Sequence, residues 1–209
     1  MERLVVAKLV AIHPQNPQQR LIMQVVEELH SGGVIAYPTD SGYALGTTLG
    51  NKNGLDKIRQ IRQLSKRHDF TLMMRDLSHI GEYAKLDNNA FRLLKKILPG
   101  AYTFILAGTR DVPKRLLHEK KKTIGVRVSS HGVVQALLAA LDEPLMSVSL
   151  ILEGCEFYDI DDVRDAVDNQ VDLIIDDGYC PPEPTTVIDL SGDVVEIIRH
   201  GAGDTSLLE

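Results

Sequence analysis

Strand-like and helix-like segments alternate along almost the whole chain, and this alternation limits the fold class more than any other feature. Amphipathic periodicity predicts helices from Pro17 to the glycines at 32–33 and at 53–64, 88–98, 132–141 and 159–169. Short β-branched runs predict strands near the N-terminus and at 33–38, 70–74, 101–108, 123–130, 144–150, 172–176, 185–190 and 194–199. The expected fold class is therefore α/β (α+β), with helices flanking a single twisted, mixed sheet.

Composition and cysteine spacing exclude several classes of protein. The length of 209 residues suits one large domain, or a domain with a small appendage. No apolar run approaches the roughly 18 residues needed to span a membrane, so no membrane partner is expected. Cys155 and Cys180 stand outside any C-x-x-C spacing. The sequence thus indicates neither a disulfide framework nor a metal site, and it favours a reduced, cytoplasmic protein.

Charge is divided unevenly between the two parts of the chain. Residues 1–141 carry 21 Lys and Arg against 11 Asp and Glu, a net +10, whereas residues 142–209 carry 2 against 18, a net −16. The total of −6 argues against indiscriminate nucleic-acid binding, but a local basic face can still attract phosphates. Two solvated surfaces without a partner are the alternative.

Residues 33–46 (GVIAYPTDSGYALG) join an apolar strand to a polar, glycine-punctuated loop. Pro38 has no N–H for a ladder, so it is expected to end the strand or to lie at its edge. Thr39 is the first of several polar side chains that follow, and Gly42 and Gly46 leave room for a ligand close to the backbone. Ligands of α/β sheets bind just past strand ends, so this loop is a candidate site; an ordinary turn is the alternative.

Basic residues concentrate between 114 and 127. Arg127 lies in an otherwise apolar strand, so it either crosses to the polar face or is held for a planar anion such as carboxylate or phosphate. Thr123 is four residues away, and the strand period places both side chains on one face. The candidates for phosphate or RNA contact are Lys120, Lys121 and Lys122, although such a run is more often a solvated loop.

Hydroxyl groups mark two further strand ends. Ser147 and Ser149 alternate with an apolar residue and can bind a ligand or close a turn; without a G-x-S-x-G elbow, neither is expected to be a hydrolase nucleophile. Thr185 opens its strand and Arg199 ends the next, so the two are predicted to form a small hydroxyl-plus-guanidinium anion site. The sequence has no P-loop, G-x-G-x-x-G or H-E-x-x-H motif, and these patterns assign no catalytic residue.

Seven segments occur in the order seen in a known family: GGVIAYPTDSGYALG, FTLM, PGAYTFIL, TIGVRVSSH, EPLMSVSL, PTTVIDL and IIRHGAGD. The chain therefore resembles the YrdC/YciO family, whose best-known members are threonylcarbamoyl-AMP synthases, over nearly its whole length. The YciO branch of the family is the closest likeness, because of sequence details in the segments YPTDSGYALG, KRLLHEKKKTIG and VSLIL. The resemblance implies a single YrdC-like domain over residues 1–209.

This resemblance implies an open, twisted sheet around a concave, positively charged cavity. It also implies a nucleotidyltransferase that converts L-threonine, bicarbonate and ATP to threonylcarbamoyl-AMP and pyrophosphate, for tRNA modification. ATP would be a substrate with Mg²⁺ bridging its phosphates, and no tightly bound metal or organic cofactor is implied. By motif, Thr39, Arg127, Ser147 and Thr185 would bind the amino-acid substrate, and Arg62, Thr123, Ser149 and Arg199 would bind ATP.

Two positions depart from the family pattern. Leu64 stands where the K-x-R motif has its arginine, and Ile151 stands where the S-x-N motif has its asparagine. Each lost charge-assisted contact costs about 1.5–3 kcal/mol, or roughly one to two powers of ten in rate, so a slow or altered enzyme is expected. The nearby residues that could replace the lost charge are Lys66, Arg67 and His68.

Two alternatives come from other functional classes. A double-stranded RNA- or tRNA-binding protein without synthase activity is supported by the basic first part of the chain, although the aromatic stacking motifs of single-strand binders are missing. A hydrolase of a related adenylate is left open by the two altered motifs. A monomer or weak dimer is expected in either case.

Overall fold

One open sheet of ten strands organises the residues that the computed structural model describes, which are 6–65, 70–155, 157–178, 180, 182–192 and 194–206. The strands are β1 (Lys8–Ala11), β2 (Ile35–Thr39), β3 (Gly42–Thr48), β4 (Thr71–Met73), β5 (Tyr102–Ala107), β6 (Thr123–Arg127), β7 (Leu145–Ser149), β8 (Leu173–Asp176), β9 (Thr186–Asp189) and β10 (Glu196–Arg199). The α-helices are α1 (Gln19–His30), α2 (Lys52–Ile61), α3 (Leu77–Tyr83), α4 (Asn88–Ile97), α5 (Gly132–Leu141) and α6 (Ile160–Val167), and a short 3-10 helix covers Lys114–Leu116.

The strand order makes the sheet mixed, as the sequence predicts. From edge to edge it runs β1-β8-β2-β3-β7-β4-β6-β5-β9-β10. The parallel pairs are β1–β8, β8–β2, β4–β6 and β5–β9, and the other neighbours are antiparallel. The predicted α/β (α+β) class with a single open sheet is therefore confirmed.

Each face of the sheet carries its own apolar core. On one face, α1 and α5 pack on β2 and β3, and Ile22 and Leu137 join Ile35 of the sheet. On the other face, Ile58 of α2 and Leu94 of α4 belong to the larger core. Because alternate residues of a strand point to opposite faces, β2 contributes to both cores. The strands that follow β3 in the strand order, from β7 onward, provide the floor of the cavity described below, on the sheet face that carries α1 and α5.

One prediction about the segment 33–46 is wrong. The expected loop is mostly strand β3, which pairs with β2 on one side and β7 on the other. Of the two positions expected for Pro38, the structure shows the second: β2 continues to Thr39, but its pairing with β8 stops at Ala36, so Pro38 has a strand ladder on the β3 side only. The turn between the two strands needs Gly42, whose φ of +95° is strained for other residues.

Other differences concern element ends and one short helix. Helix α3 is not among the predicted helices; its first turn is capped by Asp76, which accepts a hydrogen bond from His79 N at 2.9 Å. Strand β6 ends at Arg127 instead of residue 130, and β9 begins at Thr186, one residue after the predicted start at Thr185.

Candidate functional site: a guanidinium-lined cavity

A cavity of about 220 Å³ opens on the sheet face that also carries α1 and α5. Its lining comes from seven neighbouring strands and from the segments that adjoin them. The lining residues are Ala44, Arg62, Thr71, Met73, Thr103, Arg127, Ser147, Val148, Ser149, Ile151, Thr185, Val187 and Arg199. Among them are three guanidinium groups and five hydroxyl groups, but no Asp, Glu, His or Cys. The lining is therefore suited to binding anions.

Arg127 is the most buried of the three arginines, with 5% of its surface exposed. Its Nη2 donates to the carboxylate oxygen Oδ1 of Asp40 and, at 3.3 Å, to Thr39 Oγ1. Among the described residues, none accepts a hydrogen bond from its buried Nε. Buried donors normally find a partner, so this edge of the guanidinium is suited to a ligand anion.

Asp40 is the counter-charge of Arg127 and is itself held in place. Its Oδ2 accepts hydrogen bonds from Ser130 N at 2.7 Å and Ser130 Oγ at 3.0 Å. Burial favours the neutral acid, but the positive charge of Arg127 and the bonds from Ser130 outweigh it and lower the pKa of Asp40 below its usual value. The side chain is therefore a carboxylate in a buried ion pair.

Thr39 lies at the end of β2, where the turn fixes its hydroxyl group. Oγ1 donates to Gly42 O at 2.6 Å and accepts from Ser41 N at 3.1 Å. The Cys180 thiol donates to Thr39 O at 3.4 Å, and burial raises its pKa to about 11, so it is a neutral, unreactive thiol. Thr39 does not line the cavity but contacts it through Arg127.

Arg199, at the end of β10, forms the predicted pair with Thr185. Its Nε and Nη2 donate to Thr185 O at 3.0 and 2.9 Å, and Nη2 also donates to Thr185 Oγ1 at 3.1 Å. Thr185 Oγ1 lies 2.9 Å from Thr103 Oγ1. The backbone at Gly201 lies close to residues 184 and 185, and only glycine fits there, because a Cβ at this position would lie 2.1 Å from Pro184 O and 2.5 Å from Thr185 C. Within the described ranges the acceptors of Arg199 are all neutral, so no carboxylate there compensates its positive charge.

Arg62 follows α2 and reaches across to the segment after β7. Its Nε donates to Ser149 O at 2.7 Å, and its Nη1 donates to Ile151 O. Partial burial lowers the pKa of the guanidinium from its usual value, although an arginine still stays charged at neutral pH. Like Arg199, it is therefore held by neutral oxygens and retains its charge.

Ser147 lies on the cavity floor beside a buried phenol. Its Oγ is 2.6 Å from the hydroxyl oxygen of Tyr37, which is fully buried on β2. Burial raises the pKa of Tyr37 to about 12, so the phenol is protonated at neutral pH and keeps this contact.

A second cavity of about 380 Å³ adjoins the first, and the two share Thr71, Thr103 and Val187. Thr123 and Lys121 line it, together with His118 and Asp189. Lys121 Nζ is 4.0 Å from Asp189 Oδ2. Thr123 and Arg127 thus share a face of β6, as predicted, but they line adjoining cavities.

Two further predicted basic contacts do not line either of these cavities. Lys120 and Lys122 are exposed on the turn before β6, and Lys122 Nζ donates to Glu119 O at 2.7 Å. The other three predicted residues lie outside the described residues: Lys66, Arg67 and His68.

Comparison with known proteins gives the family. Residues 27–201 match the Sua5/YciO/YrdC family model, which is described as "Telomere recombination". The chain belongs to the Sua5/YciO/YrdC family. It is 57% identical over 195 residues to "Uncharacterized protein YciO" of Escherichia coli K12, covering 92% of this chain and 95% of that protein. The crystal structure of E. coli YciO superposes with a TM-score of 0.91 at 55% identity, over 96% of this chain and 98% of the other.

Relatives with a named activity are more distant. This Sua5/YciO/YrdC protein is 28% identical over 158 residues to the threonylcarbamoyl-AMP synthase of Vibrio vulnificus YJ016, covering 74% of this chain and 84% of the synthase. The crystal structure of P. abyssi Sua5 complexed with L-threonine has a TM-score of 0.84, over 92% of this chain and 57% of the other. At 21% identity, this second likeness concerns the fold alone.

The two departures from the family pattern have different surroundings in this family member. Leu64 is partly buried and packs against the larger apolar core. Ile151 is 58% exposed and lines the cavity. The first substitution is therefore absorbed by core packing, whereas the second places an apolar side chain where a ligand can meet it.

Sequence reasoning missed three residues of this site. Asp40 is one of the polar residues after Pro38, and no local pattern shows that it meets Arg127 87 positions later. Thr71 and Thr103 line both cavities. A signal for them did exist, since each is a polar residue facing one side of a strand whose neighbours are buried and apolar.

Metal and membrane predictions concern absences, so they are tested only where the structure is described. Within those residues, no group of three or more His, Cys, Asp or Glu side chains could hold a metal ion. In the same part of the chain, every helix is too short or too polar to cross a bilayer.

Proposed function

We propose that this chain binds ATP and L-threonine in the guanidinium-lined cavity and, with bicarbonate, forms threonylcarbamoyl-AMP and pyrophosphate. The observation that carries the proposal is the presence of Arg62, Arg127 and Arg199 around one cavity whose lining contains no carboxylate. Three guanidinium groups suit a reaction that brings a carboxylate and a triphosphate together. The likeness to the Vibrio synthase supports the same chemistry, and the product would serve tRNA modification.

The proposed reaction needs charge neutralisation more than a protein nucleophile. The threonine amine and bicarbonate would form a carbamate with loss of water, and a carbamate oxygen would then attack the α-phosphorus of ATP while pyrophosphate leaves. Negative charge grows on the phosphate oxygens in this step, and fixed guanidinium and hydroxyl donors stabilise it. Arg199 with Thr185, and Arg62 beside Ser149, provide such donors without a competing carboxylate. Thr123 in the adjoining cavity would contact the nucleotide.

Amino-acid binding is assigned to the most buried arginine. Arg127 would receive the threonine carboxylate at its Nε, which has no acceptor among the described residues, and Thr39 would help to fix the guanidinium through Nη2. Ser147 on the cavity floor supplies a hydroxyl group for the polar atoms of the amino acid.

Magnesium fits this site as part of the substrate. The cavity lining has no carboxylate, and no metal-ligand cluster occurs within the described ranges, so a protein cage for the ion is not supported. Mg²⁺ is commonly held by substrate phosphates and water, and its chemistry here would be to neutralise the β- and γ-phosphates of ATP. The arginines would then hold the nucleotide by its remaining oxygens.

The test is mass spectrometry of a reaction that contains ATP, L-threonine, bicarbonate and Mg²⁺. We expect threonylcarbamoyl-AMP and pyrophosphate from the wild-type protein, and about 10- to 100-fold less product from Arg127→Ala, since a charge-assisted contact is lost. The matched control is Arg164→Ala, which removes an exposed arginine of α6. A family member with complete K-x-R and S-x-N motifs serves as the positive control. No product beside a working control would overturn the proposal.

A second candidate, binding of double-stranded RNA or tRNA, is favoured by one observation. Lys121 lines the second cavity and belongs to an exposed basic run, Lys120–Lys122, and such basic surfaces attract phosphate backbones. RNA affinity should then fall steeply as salt rises, because phosphate contacts release counterions. A flat salt dependence would exclude this function. The hydrolase alternative is not favoured, since the first cavity lacks a His, Asp or Glu to activate water.

A further inference from the structure

The three guanidinium groups of the cavity differ in the charge of the acceptors that hold them. Arg62 and Arg199 donate to the carbonyl oxygens of Ser149, Ile151 and Thr185. A carbonyl is neutral, so each of these arginines offers a full positive charge to a ligand. Arg127 donates to the carboxylate of Asp40, so this pair has no net charge.

Asp40 cannot easily turn away from Arg127. Its side chain is 12% exposed, and Ser130 donates to the other carboxylate oxygen from both its backbone nitrogen and its hydroxyl group. These bonds connect the β2–β3 turn to the segment that follows β6. The carboxylate therefore occupies Nη2 of Arg127, while the buried Nε is without an acceptor among the described residues.

We propose that Asp40, acting through Arg127, makes this position select a net-neutral, zwitterionic amino acid over phosphate. Asp40 is thus a positioning residue that determines specificity, since it contacts Arg127 and lies outside the cavity lining. The inference deepens the proposed function and depends on it for the identity of the amino acid. Its electrostatic part concerns any anion and can be tested separately.

Elementary electrostatics gives the reason for this selection. A phosphate dianion at Arg127 would meet a neutral ion pair and would be repelled by Asp40, whereas at Arg62 or Arg199 it meets an uncompensated charge. A zwitterion brings its carboxylate to the free edge of Arg127, and its ammonium group is attracted by Asp40. A cavity that binds an amino acid next to a triphosphate needs this distinction, because each ligand otherwise competes for the same arginines.

The test uses the side-chain Nε–H signals of arginine in the ¹⁵N-labelled full-length protein, assigned with Arg127→Lys and Arg199→Lys. Inorganic phosphate is titrated first. In the wild-type protein, we expect phosphate to shift the Arg199 signal, or that of Arg62, at concentrations at least about tenfold lower than those that shift the Arg127 signal. Tenfold is a lower bound, since one unit charge at about 6 Å and an effective dielectric constant of about 20 corresponds to about a hundredfold. An Arg127 signal that responds first, or at the same concentration, would overturn the inference.

The variant arm uses Asp40→Asn, Asp40→Glu and a matched control, Asp172→Asn. Asp172 also combines one ion pair, to Lys57, with one backbone hydrogen bond, from Val34 N, but it lies outside the cavity lining. In Asp40→Asn, phosphate should shift the Arg127 signal at concentrations at least about tenfold lower than in the wild type. In Asp40→Glu and Asp172→Asn, the arginine signals should respond to rising phosphate in the same order as in the wild type. An unchanged order in folded Asp40→Asn would contradict the inference, and if this variant does not fold, the wild-type titration decides alone.

Titration of L-threonine separates this inference from the proposed function. We expect L-threonine to shift the Arg127 signal in the wild type, and phosphate to leave that shift within about twofold. In Asp40→Asn, phosphate should compete, so that the apparent affinity for L-threonine falls by about tenfold or more at saturating phosphate. If L-threonine shifts no signal, the proposed amino-acid substrate is wrong, while the phosphate titrations still decide the role of Asp40.

Discussion

Arg127 and Arg199 line the same cavity but differ in burial and in the charge of the groups that hold them. Arg127 is buried and paired with a carboxylate, whereas Arg199 is exposed and bound to the backbone and hydroxyl oxygens of one threonine. Arg62 resembles Arg199, because both of its acceptors are backbone carbonyls. The difference shows that arginines of one site can be prepared for different anions by the charge of their internal partners.

The largest expected effect is on stability and separates the two arginines directly. Arg127→Ala should lower the free energy of unfolding by about 3–5 kcal/mol, because it leaves the buried carboxylate of Asp40 unpaired. Arg199→Ala should lower it by only about 1 kcal/mol, since neutral oxygens that lose a donor can reach water. Urea unfolding measures both values. In Arg127→Ala/Asp40→Ala, the loss should be smaller than the sum of the two single losses.

Equal losses in Arg127→Ala and Arg199→Ala would contradict this difference between the two arginines. So would a double variant whose loss equals the sum of its parts, because the two partners would then be energetically independent.

The two departures from the family pattern should also behave differently. Leu64→Arg should cost about 1–3 kcal/mol of unfolding free energy, because Leu64 packs against the core. Ile151→Asn should change it by less than about 0.5 kcal/mol, because Ile151 is 58% exposed. An added hydrogen bond in the cavity is worth about 1 kcal/mol, so Ile151→Asn should raise the rate of threonylcarbamoyl-AMP formation about fivefold.

Urea unfolding and mass spectrometry of the product provide the two measurements for Leu64 and Ile151. A stable Leu64→Arg variant with raised activity would show that this side chain can reach the cavity, contrary to its packing here. Unchanged product formation in Ile151→Asn would show that position 151 does not meet the ligand.

Acid should affect the two arginine sites unequally, because among the described residues Arg127 has a titratable partner and Arg199 has none. The pKa of Asp40 is lowered in the folded protein, so the ion pair adds stability above the unfolded value of about 3.9 and loses it as pH falls towards the folded value. Asp40→Asn should therefore lose less stability than the wild type between about pH 5 and 3. The slopes should differ by at most one proton, or about 1.4 kcal/mol per pH unit. Parallel urea-unfolding curves over this range would refute the ion pair.

The smallest effect is expected at Tyr37, which supports the cavity floor through Ser147. Tyr37→Phe should lower the unfolding free energy by about 1 kcal/mol at pH 7, because one buried hydrogen bond is lost. The pKa of Tyr37 is raised to about 12, so the wild type loses stability as pH rises from the unfolded value of about 10 towards 12. The deficit of Tyr37→Phe should thus shrink above pH 10. A constant deficit in alkaline urea titrations would show that the phenol is not shielded from water.

Sequence periodicity predicted the sheet well because most strands are apolar runs bounded by loops, such as 101–108 and 172–176. It failed at β3, whose glycines and polar residues are typical of a loop and whose strand character comes from pairing on both sides. It also failed at α3, which has only seven residues and depends on an Asp76 cap.

The site was predictable where one strand carried the whole signal. Arg127 stands out as a charge in an apolar strand, and the shared face with Thr123 follows from the strand period. The acceptors of the arginines were not predictable, since Asp40 meets Arg127 and Ile151 O meets Arg62 only after the sheet has formed. The distinction between a charged and a neutral acceptor is therefore a property of the tertiary structure.

Calorimetry with two ligands and two variants tests the central claim most directly. ATP with Mg²⁺ and L-threonine are each titrated into the wild type, Arg127→Ala and Arg199→Ala, after folding has been checked by circular dichroism. The assignment of the two arginines predicts a crossover: Arg127→Ala loses at least about tenfold in L-threonine affinity and little in ATP affinity, and Arg199→Ala shows the reverse. If both variants weaken both ligands equally, or if neither variant weakens either ligand, the division of the cavity between its arginines is wrong.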